Sequence, residues 1–401
     1  MVSDENKNMD KINEILTRGV EKIYPTSEAL EKVLRSGKKI RLYQGFDPSM
    51  PNLHLGNMVG VLKLKQFQDL GHEVIFLVGD FTGMIGDPTD KSATRQALTK
   101  EIVLKNAKNW KKQVEKILNF EGDNPAKFMY NSLWNDKITF KDLVEITSNF
   151  TVQQMLERDF FQKRLKEEKP IHLHEFLYPV AQAIDCVEMD VDLEIGGSDQ
   201  TFNMLMGRTL MSAMKNKEKF VLTMKLLVDK EGNKVGKTAG NALFLNATPE
   251  EHFGGIMSFP DEVLINSLES LTLIPVEEVE KLSESLKNGA NPMDIKKRLA
   301  FEIVSLHHSK EQAQKAQEEF EKVVQNQEAP SELEEFQVEP DQTLVDVLTN
   351  SGAVSSKSEA KRLIEQKAVD IDGETIINAN YKDFKSGVII KAGKRKFLKI
   401  K

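Results

Sequence analysis

Apolar positions in this chain change period several times, and each change marks an element. In residues 1–37 they fall at helical spacing, Leu16, Val20 and Ile23, then Leu30, Val33 and Leu34, which predicts one or two helices. Residues 39–43 predict a strand. Residues 54–70 carry Val59, Leu62, Phe67 and Leu70 in a helical pattern, and 74–78 is a short continuous apolar run. Strand, helix, strand in this order predicts a right-handed parallel unit with both sheet faces buried. Residues 99–169 read as helices with charged faces, notably 101–118 and 152–168, an insertion between two halves of a sheet. A short strand at 193–195 follows, with helix from Phe202. The apolar run 220–224 leads into an exposed turn over 229–240 and then a helical region to about Gln325. Residues 326–341, rich in Glu, Pro and Ser, read as a linker.

Composition narrows the class. The 401 residues are too many for one ordinary core, and 40% hydrophobic with 29% charged residues is a globular composition. No apolar run approaches the roughly 20 residues that span a bilayer. The first residues lack the basic-then-apolar layout of a signal peptide, and a lone Cys186 forms no internal disulfide, which together predict a cytoplasmic protein. Seven scattered histidines offer no metal spacing, and His172 and His174 read as structural residues, so no metal ligands are expected. The net charge of −7 is unevenly spread: residues 352–401 hold 12 Lys+Arg against 6 Asp+Glu, leaving 43 against 56 in residues 1–351. A basic module on an acidic body points to a nucleic-acid phosphate backbone.

Four separated segments carry candidate chemistry. Residues 43–57 read as a buried strand, a Pro/Asn turn and a helix opening on His54-Leu55-Gly56-Asn57. The unpaired N–H groups and partial positive charge of a helix start suit a triphosphate, a glycine there lets a base or ribose approach the backbone, and an imidazole bonds phosphate oxygens. The Gly-rich loop 79–95 lies beyond the carboxyl end of a strand, where doubly wound folds bind ligands. Gly196-Gly197-Ser198-Asp199-Gln200 is a second strand-to-helix loop of that kind, and Lys234-Val235-Gly236-Lys237-Thr238 puts two cations on a Gly-flanked turn.

Together these segments resemble the class I aminoacyl-tRNA synthetases, whose signatures are a His-x-Gly-His helix start and a Lys-Met-Ser-Lys-Ser loop. Gly196–Gly197 through Gln200, combined with Tyr178-(x)3-Gln182-(x)2-Asp185, narrows the resemblance to bacterial tyrosyl-tRNA synthetases, from about Lys39 to the end of the chain. Three features depart from the pattern: Asn57 replaces the second histidine, the loop reads Lys-Val-Gly-Lys-Thr, and Ile184 stands where an aromatic is common.

The resemblance implies an α/β protein. Residues 1–228 are then a Rossmann-like nucleotide-binding catalytic domain including the helical insertion at about 99–170. A lysine loop and α-helical domain follow at 229–325, then the linker 326–341 and a small α+β S4-like RNA-binding domain at 342–401. It implies tyrosine, ATP with Mg2+ and tRNA as substrates, a homodimer, and no tightly bound metal or organic cofactor.

By the same resemblance, His54, Ser49, Lys234, Lys237 and Thr238 attend the phosphates, and Lys91 and Arg95 the pyrophosphate or tRNA end. Gly45, Asp47, Gly56, Asn57, Gly197 and Asp199 attend the nucleoside side. Tyr43 and Asp185 read the phenolic hydroxyl, while Asp87, Tyr178, Gln182 and Gln200 surround the substrate ammonium. Neither step needs a protein nucleophile, since a carboxylate is already ionised and the task is to place reactants and stabilise charge. In the tail, Ser356 three residues before Glu359 predicts a capped helix bearing Lys357, Lys361, Arg362 and Lys367, followed by a strand at 369–371 and a turn at Asp372-Gly373.

Overall fold

The computed structural model describes residues 4–87, 98–229, 231, 234–235, 242–325, 333, 335–393 and 396–401. They fall into two compact units that divide between His308 and Ser309, upstream of the segment that composition marks as a linker.

Six strands of the first unit share one sheet: β1 (Val20–Tyr24), β2 (Arg41–Phe46), β3 (Glu73–Val78), β4 (Lys127–Tyr130), β5 (Leu193–Gly197) and β6 (Phe220–Met224). Their spatial order is β1-β6-β5-β2-β3-β4, parallel throughout except for β1 against β6. Leu42, Phe46, Val74, Phe76 and Val78 on one face and Tyr43, Ile75 and Leu77 on the other are buried, as strands covered on both faces require. From β2 the chain first builds outward to β3 and β4, then returns to place β5 and β6 on the other side. The order therefore reverses between β2 and β5, and a crevice opens beyond their carboxyl ends. The loops that follow β2, β3 and β5 all end at this crevice.

The Leu55–Asp69 helix joins β2 to β3 and is buried along most of its surface, including Lys63. Lys63 Nζ donates to Ile15 O and Arg18 O, both at 2.9 Å, so it satisfies carbonyls at the end of the Asp4–Thr17 helix. Burial lowers its pKa to about 7.

Three sequence expectations change. The segment 1–37 is not helical throughout, because the Asp4–Thr17 helix stops before Gly19 at φ +63° and Val20–Tyr24 pairs antiparallel with β6. Val20 and Ile23, three apart, fit a helix better than a regular strand, but a register shift between Val20 and Lys22 accommodates them at the edge of β6. The insertion is not purely helical either, since Lys127–Tyr130 extends the sheet beside β3. Its helices are also shorter than read: 101–118 divides into Lys100–Ala107 and Trp110–Val114, and 152–168 into Val152–Leu156 and Asp159–Lys166.

In the second unit, β7 (Glu335–Phe336), β8 (Val369–Ile371), β9 (Glu374–Thr375), β10 (Ile389–Ala392) and β11 (Lys396–Ile400) form a sheet ordered β7-β11-β10-β8-β9. β7 is parallel to β11 although it lies inside the segment 326–341. The helices Leu344–Asn350 and Lys357–Glu365 bury Leu344, Val347, Leu348, Ala360 and Ile364 with Val369, Ile390 and Leu398. Ser356 Oγ caps the second helix by accepting from Glu359 N at 3.2 Å. The Glu359 carboxylate reaches one residue further back than the sequence suggests, accepting from Ser355 N and Oγ.

Candidate active site

A cavity of about 610 Å3 occupies the crevice. It is lined by Tyr43, Gly45, Asp47, Ser49, His54, Gly56, Asn57, Asp87, Tyr178, Gln182, Asp185, Gly197, Asp199, Gln200 and Lys234. Every candidate that falls on described residues of the first unit is thus brought to one place. Lys91, Arg95, Lys237 and Thr238 lie outside the described residues.

At the helix-start side of the cavity, His54 is the extended N-cap of the Leu55–Asp69 helix, and its backbone N–H donates to Asn57 Oδ1 at 3.0 Å. Asn57 therefore closes the cap with its carboxamide oxygen and keeps its Nδ2 hydrogens for other acceptors. The imidazole folds over Gly56, where a Cβ would meet His54 Cε1 at 2.9 Å, so a side chain at 56 would displace the ring. Leu55 N donates to Leu243 O at 2.9 Å and Leu245 N to Leu53 O at 2.8 Å, which clips the segment after the lysine turn to the His54 segment. His252 Nε2 lies 2.8 Å from Phe244 O, and burial lowers the His252 pKa to about 4. A neutral ring donating from Nε2 accepts at Nδ1, where His308 Nε2 stands at 3.2 Å. Lys234 Nζ lies 2.7 Å from Asp199 Oδ2, so the lysine of the turn and the carboxylate of the Gly196–Gln200 loop pair in this arrangement.

The other side of the cavity is a set of hydrogen-bonded carboxylates. Asp47 accepts from Thr82 Oγ1 at 2.7 Å and from Tyr178 Oη at 2.8 Å. Asp87 accepts from Arg158 Nη2 at 2.8 Å and from Gln200 Nε2 at 2.5 Å. Asp185, 2% exposed, takes Trp134 Nε1 at 2.7 Å and Asn135 Nδ2 at 3.0 Å on Oδ1, and Asn131 Nδ2 at 3.1 Å on Oδ2. Burial pushes its pKa up to about 8 against the pull of those three hydrogen bonds.

Tyr43 does not bond Asp185 in this structure. Its hydroxyl donates to Glu194 Oε1 at 2.6 Å, and Gln182 Nε2 donates to the same oxygen at 2.9 Å. Lys219 Nζ bonds Glu194 Oε2 and donates to Met204 O at 2.9 Å. Sequence reasoning passed over Glu194, Lys219, Asn131, Trp134, Asn135 and Arg158. A signal for the first two was present: a carboxylate in a strand buried on both faces, and a lysine one residue before another such strand, each need a partner.

His172 and His174 have ring centroids 5.8 Å apart on the short turn Leu173–Phe176 and its cap, and no group of potential metal ligands is found among the described residues. No helix among them is long and apolar enough to cross a membrane. In the second unit, Lys357, Lys361, Arg362 and Lys367 are exposed on one helix and the residues after it. Lys357 Nζ lies 2.7 Å from Asp346 Oδ1.

Comparison with known proteins agrees with this geometry. The family model for class I tRNA synthetases (W and Y) matches residues 35–325, and the chain belongs to that family. The model for the tyrosine–tRNA ligase SYY-like C-terminal domain matches residues 325–400. The tyrosine–tRNA ligase of Carboxydothermus hydrogenoformans is 44% identical over 96% of this chain and 97% of its own length. That of Thermotoga maritima is 44% identical over 96% of each. Among solved structures, a C-terminally truncated mitochondrial tyrosyl-tRNA synthetase from Coccidioides posadasii has TM-score 0.63 at 22% identity, covering 78% of this chain and 95% of that one. An Archaeoglobus fulgidus tyrosyl-tRNA synthetase complexed with L-tyrosine has TM-score 0.59 at 22% identity, covering 77% and 99%. At that identity the structures speak to the fold.

Proposed function

We propose that the residues of this cavity divide the tyrosine–tRNA ligase reaction among them as follows. In that reaction tyrosine and ATP give tyrosyl-adenylate and pyrophosphate, and the tyrosyl group then passes to the 3′-terminal ribose of tRNA. The substrate carboxylate attacks the α-phosphorus, and the bond from that phosphorus to the β-phosphate oxygen breaks. ATP enters as its magnesium complex. His54 at the helix start, with Ser49, Lys234, Lys237 and Thr238, stabilises charge on the phosphates, and Lys91 and Arg95 act on departing pyrophosphate or the tRNA end. Asp199 and Gly197 hold the ribose, with Gly45, Gly56 and Asn57 beside the nucleoside. Asp87, Tyr178, Gln182 and Gln200 surround the ammonium, and Asp47 borders both ligands.

Tyr43 and Asp185 form the hydroxyl-reading end. The observation that carries this assignment is the pair of them lining one cavity with Asp185 buried and anchored by Trp134, Asn131 and Asn135. Phenylalanine would cover the remaining acceptor positions of Tyr43 Oη and Asp185 without giving them a donor, so the analogue lacking the hydroxyl is rejected with no editing step.

The remaining readings follow from surface chemistry. Lys357, Lys361, Arg362 and Lys367 contact the tRNA backbone, and residues 342–401 hold one arm of the tRNA while residues 1–228 take its acceptor end. The insertion and the turn after it expose Leu133, Phe140, Val144, Val152 and Leu173, with Phe140 at 83%, which supports a homodimer through that region. Phe140→Asp should then shift the sedimenting mass toward that of one chain, and an unchanged dimer would move the interface elsewhere. The protein works in the cytoplasm. Deleting residues after Glu339 should leave ATP/pyrophosphate exchange within about twofold and reduce tRNA charging at least about 100-fold, the cost of the lost phosphate contacts. Equal loss of both activities would contradict the division.

A further inference from the structure

The hydroxyl-reading end carries more information than its two named residues. Glu194 is 1% exposed and Lys219 is fully buried, and the two are joined as an ion pair beneath Tyr43. A carboxylate held by an ammonium has no hydrogen to give, so Tyr43 is the donor in its 2.6 Å bond to Glu194 Oε1. Burial raises the Tyr43 pKa well above its usual value, so that hydrogen stays in place. The Tyr43 oxygen then faces every other neighbour as an acceptor. Cys186 Sγ stands 3.1 Å away and has Glu194 Oε2 at 3.4 Å and Gln182 O at 3.6 Å as further acceptors.

The donors around Asp185 are spent in the same way. Asn131 Nδ2 gives its hydrogens to Asp185 and to Thr82 Oγ1, both at 3.1 Å. Asn135 Nδ2 gives its two to Asp185 and Asn131 O, both at 3.0 Å, and Trp134 has a single hydrogen, which goes to Asp185. Gln182 spends one amide hydrogen on Glu194. Space for the ion pair comes from Gly207 on the Thr201–Lys215 helix, where a Cβ would meet Lys219 Nζ at 2.7 Å and Cys186 Sγ at 2.5 Å.

We propose that the Glu194–Lys219 pair is a positioning element for substrate specificity: by holding the Tyr43 hydrogen it makes this end of the pocket accept, so the amino acid must bring a hydrogen-bond donor at its para position. The inference rests on Tyr43 and Asp185 being the hydroxyl-reading end. Under it, 4-aminophenylalanine, which donates, is activated in preference to the near-isosteric 4-fluorophenylalanine, which only accepts.

The test is ATP/pyrophosphate exchange by the full chain, reading kcat/KM for tyrosine and both analogues. The wild type should prefer the amino over the fluoro analogue at least about tenfold, the worth of one such hydrogen bond. Glu194→Gln offers Tyr43 a donor amide, frees its hydrogen to turn toward the ligand, and should erase most of that preference. The double variant Glu194→Gln/Lys219→Met, which strands no buried cation, should behave alike. An amino-to-fluoro ratio that stays at the wild-type value in both variants, with activity lost equally on all three substrates, overturns the positioning role. Tyr43→Phe separates the two levels: an unaltered preference for tyrosine over phenylalanine in that variant removes the pocket assignment itself.

Discussion

Asp185→Ala is expected to lower kcat/KM for tyrosine in ATP/pyrophosphate exchange by at least about 100-fold, because two kinds of loss coincide. The phenolic hydroxyl loses its acceptor at a buried position. Trp134, Asn131 and Asn135 also lose theirs, and a buried donor without a partner, as Asn131 and Asn135 would then each hold, costs about 1–3 kcal/mol. Phenylalanine makes no bond to the carboxylate, so its kcat/KM should fall less, and the preference for tyrosine should narrow. Asp185→Asn keeps the volume but places an amide donor against donors on at least one side, so it should recover little. Steady-state exchange with both amino acids measures this. Near-normal tyrosine kinetics in Asp185→Ala would take the residue out of the pocket.

Lys219→Met should have the largest effect on stability. It leaves the Glu194 carboxylate in a site 1% exposed with Tyr43, Gln182 and Cys186 as neutral neighbours, and removing one member of a buried ion pair typically costs about 3–5 kcal/mol. Met204 O loses a donor in the same step. The expected result is a clear fall in the unfolding midpoint of the unit that spans Met1–His308, followed by calorimetry of the full chain. Adding Glu194→Gln removes the stranded charge and should restore most of the loss. A single variant as stable as the wild type would mean that the pair contributes nothing that its neighbours do not already supply.

Much of the first unit was legible because its strands and loops carry local signals. The short continuous run 74–78 reads as a strand buried on both faces, and Gly196–Gly197 before Asp199 as a strand-to-helix passage, and both are found. Position along the sheet was less legible. Val20–Tyr24 became a strand through its pairing with residues some 200 positions later, a partner that no window of sequence contains. The insertion's Lys127–Tyr130 joined the sheet for the same reason, beside β3.

Within the site, the residues that touch a ligand were readable from motifs, whereas the residues that orient them were not. Glu194 sits inside a motif as an unremarked letter between Leu193 and Ile195, and its role depends on Lys219, 25 positions away across two strands. Asn131, Trp134 and Asn135 follow an edge strand that the pattern did not reveal, so their convergence on Asp185 was hidden with it. Asn57 shows both cases. The sequence offers its amide as a donor beside the nucleoside, and the structure gives its oxygen a further capping role on the His54 backbone that no motif announces.

The most direct measurement is amino-acid-dependent ATP/pyrophosphate exchange with magnesium and no tRNA, comparing tyrosine, phenylalanine and tryptophan. Exchange with tyrosine, and orders of magnitude less with the other two, is the expected result for a cavity in which Tyr43 and Asp185 read the hydroxyl. Comparable exchange with phenylalanine, or none with any of the three, would contradict it.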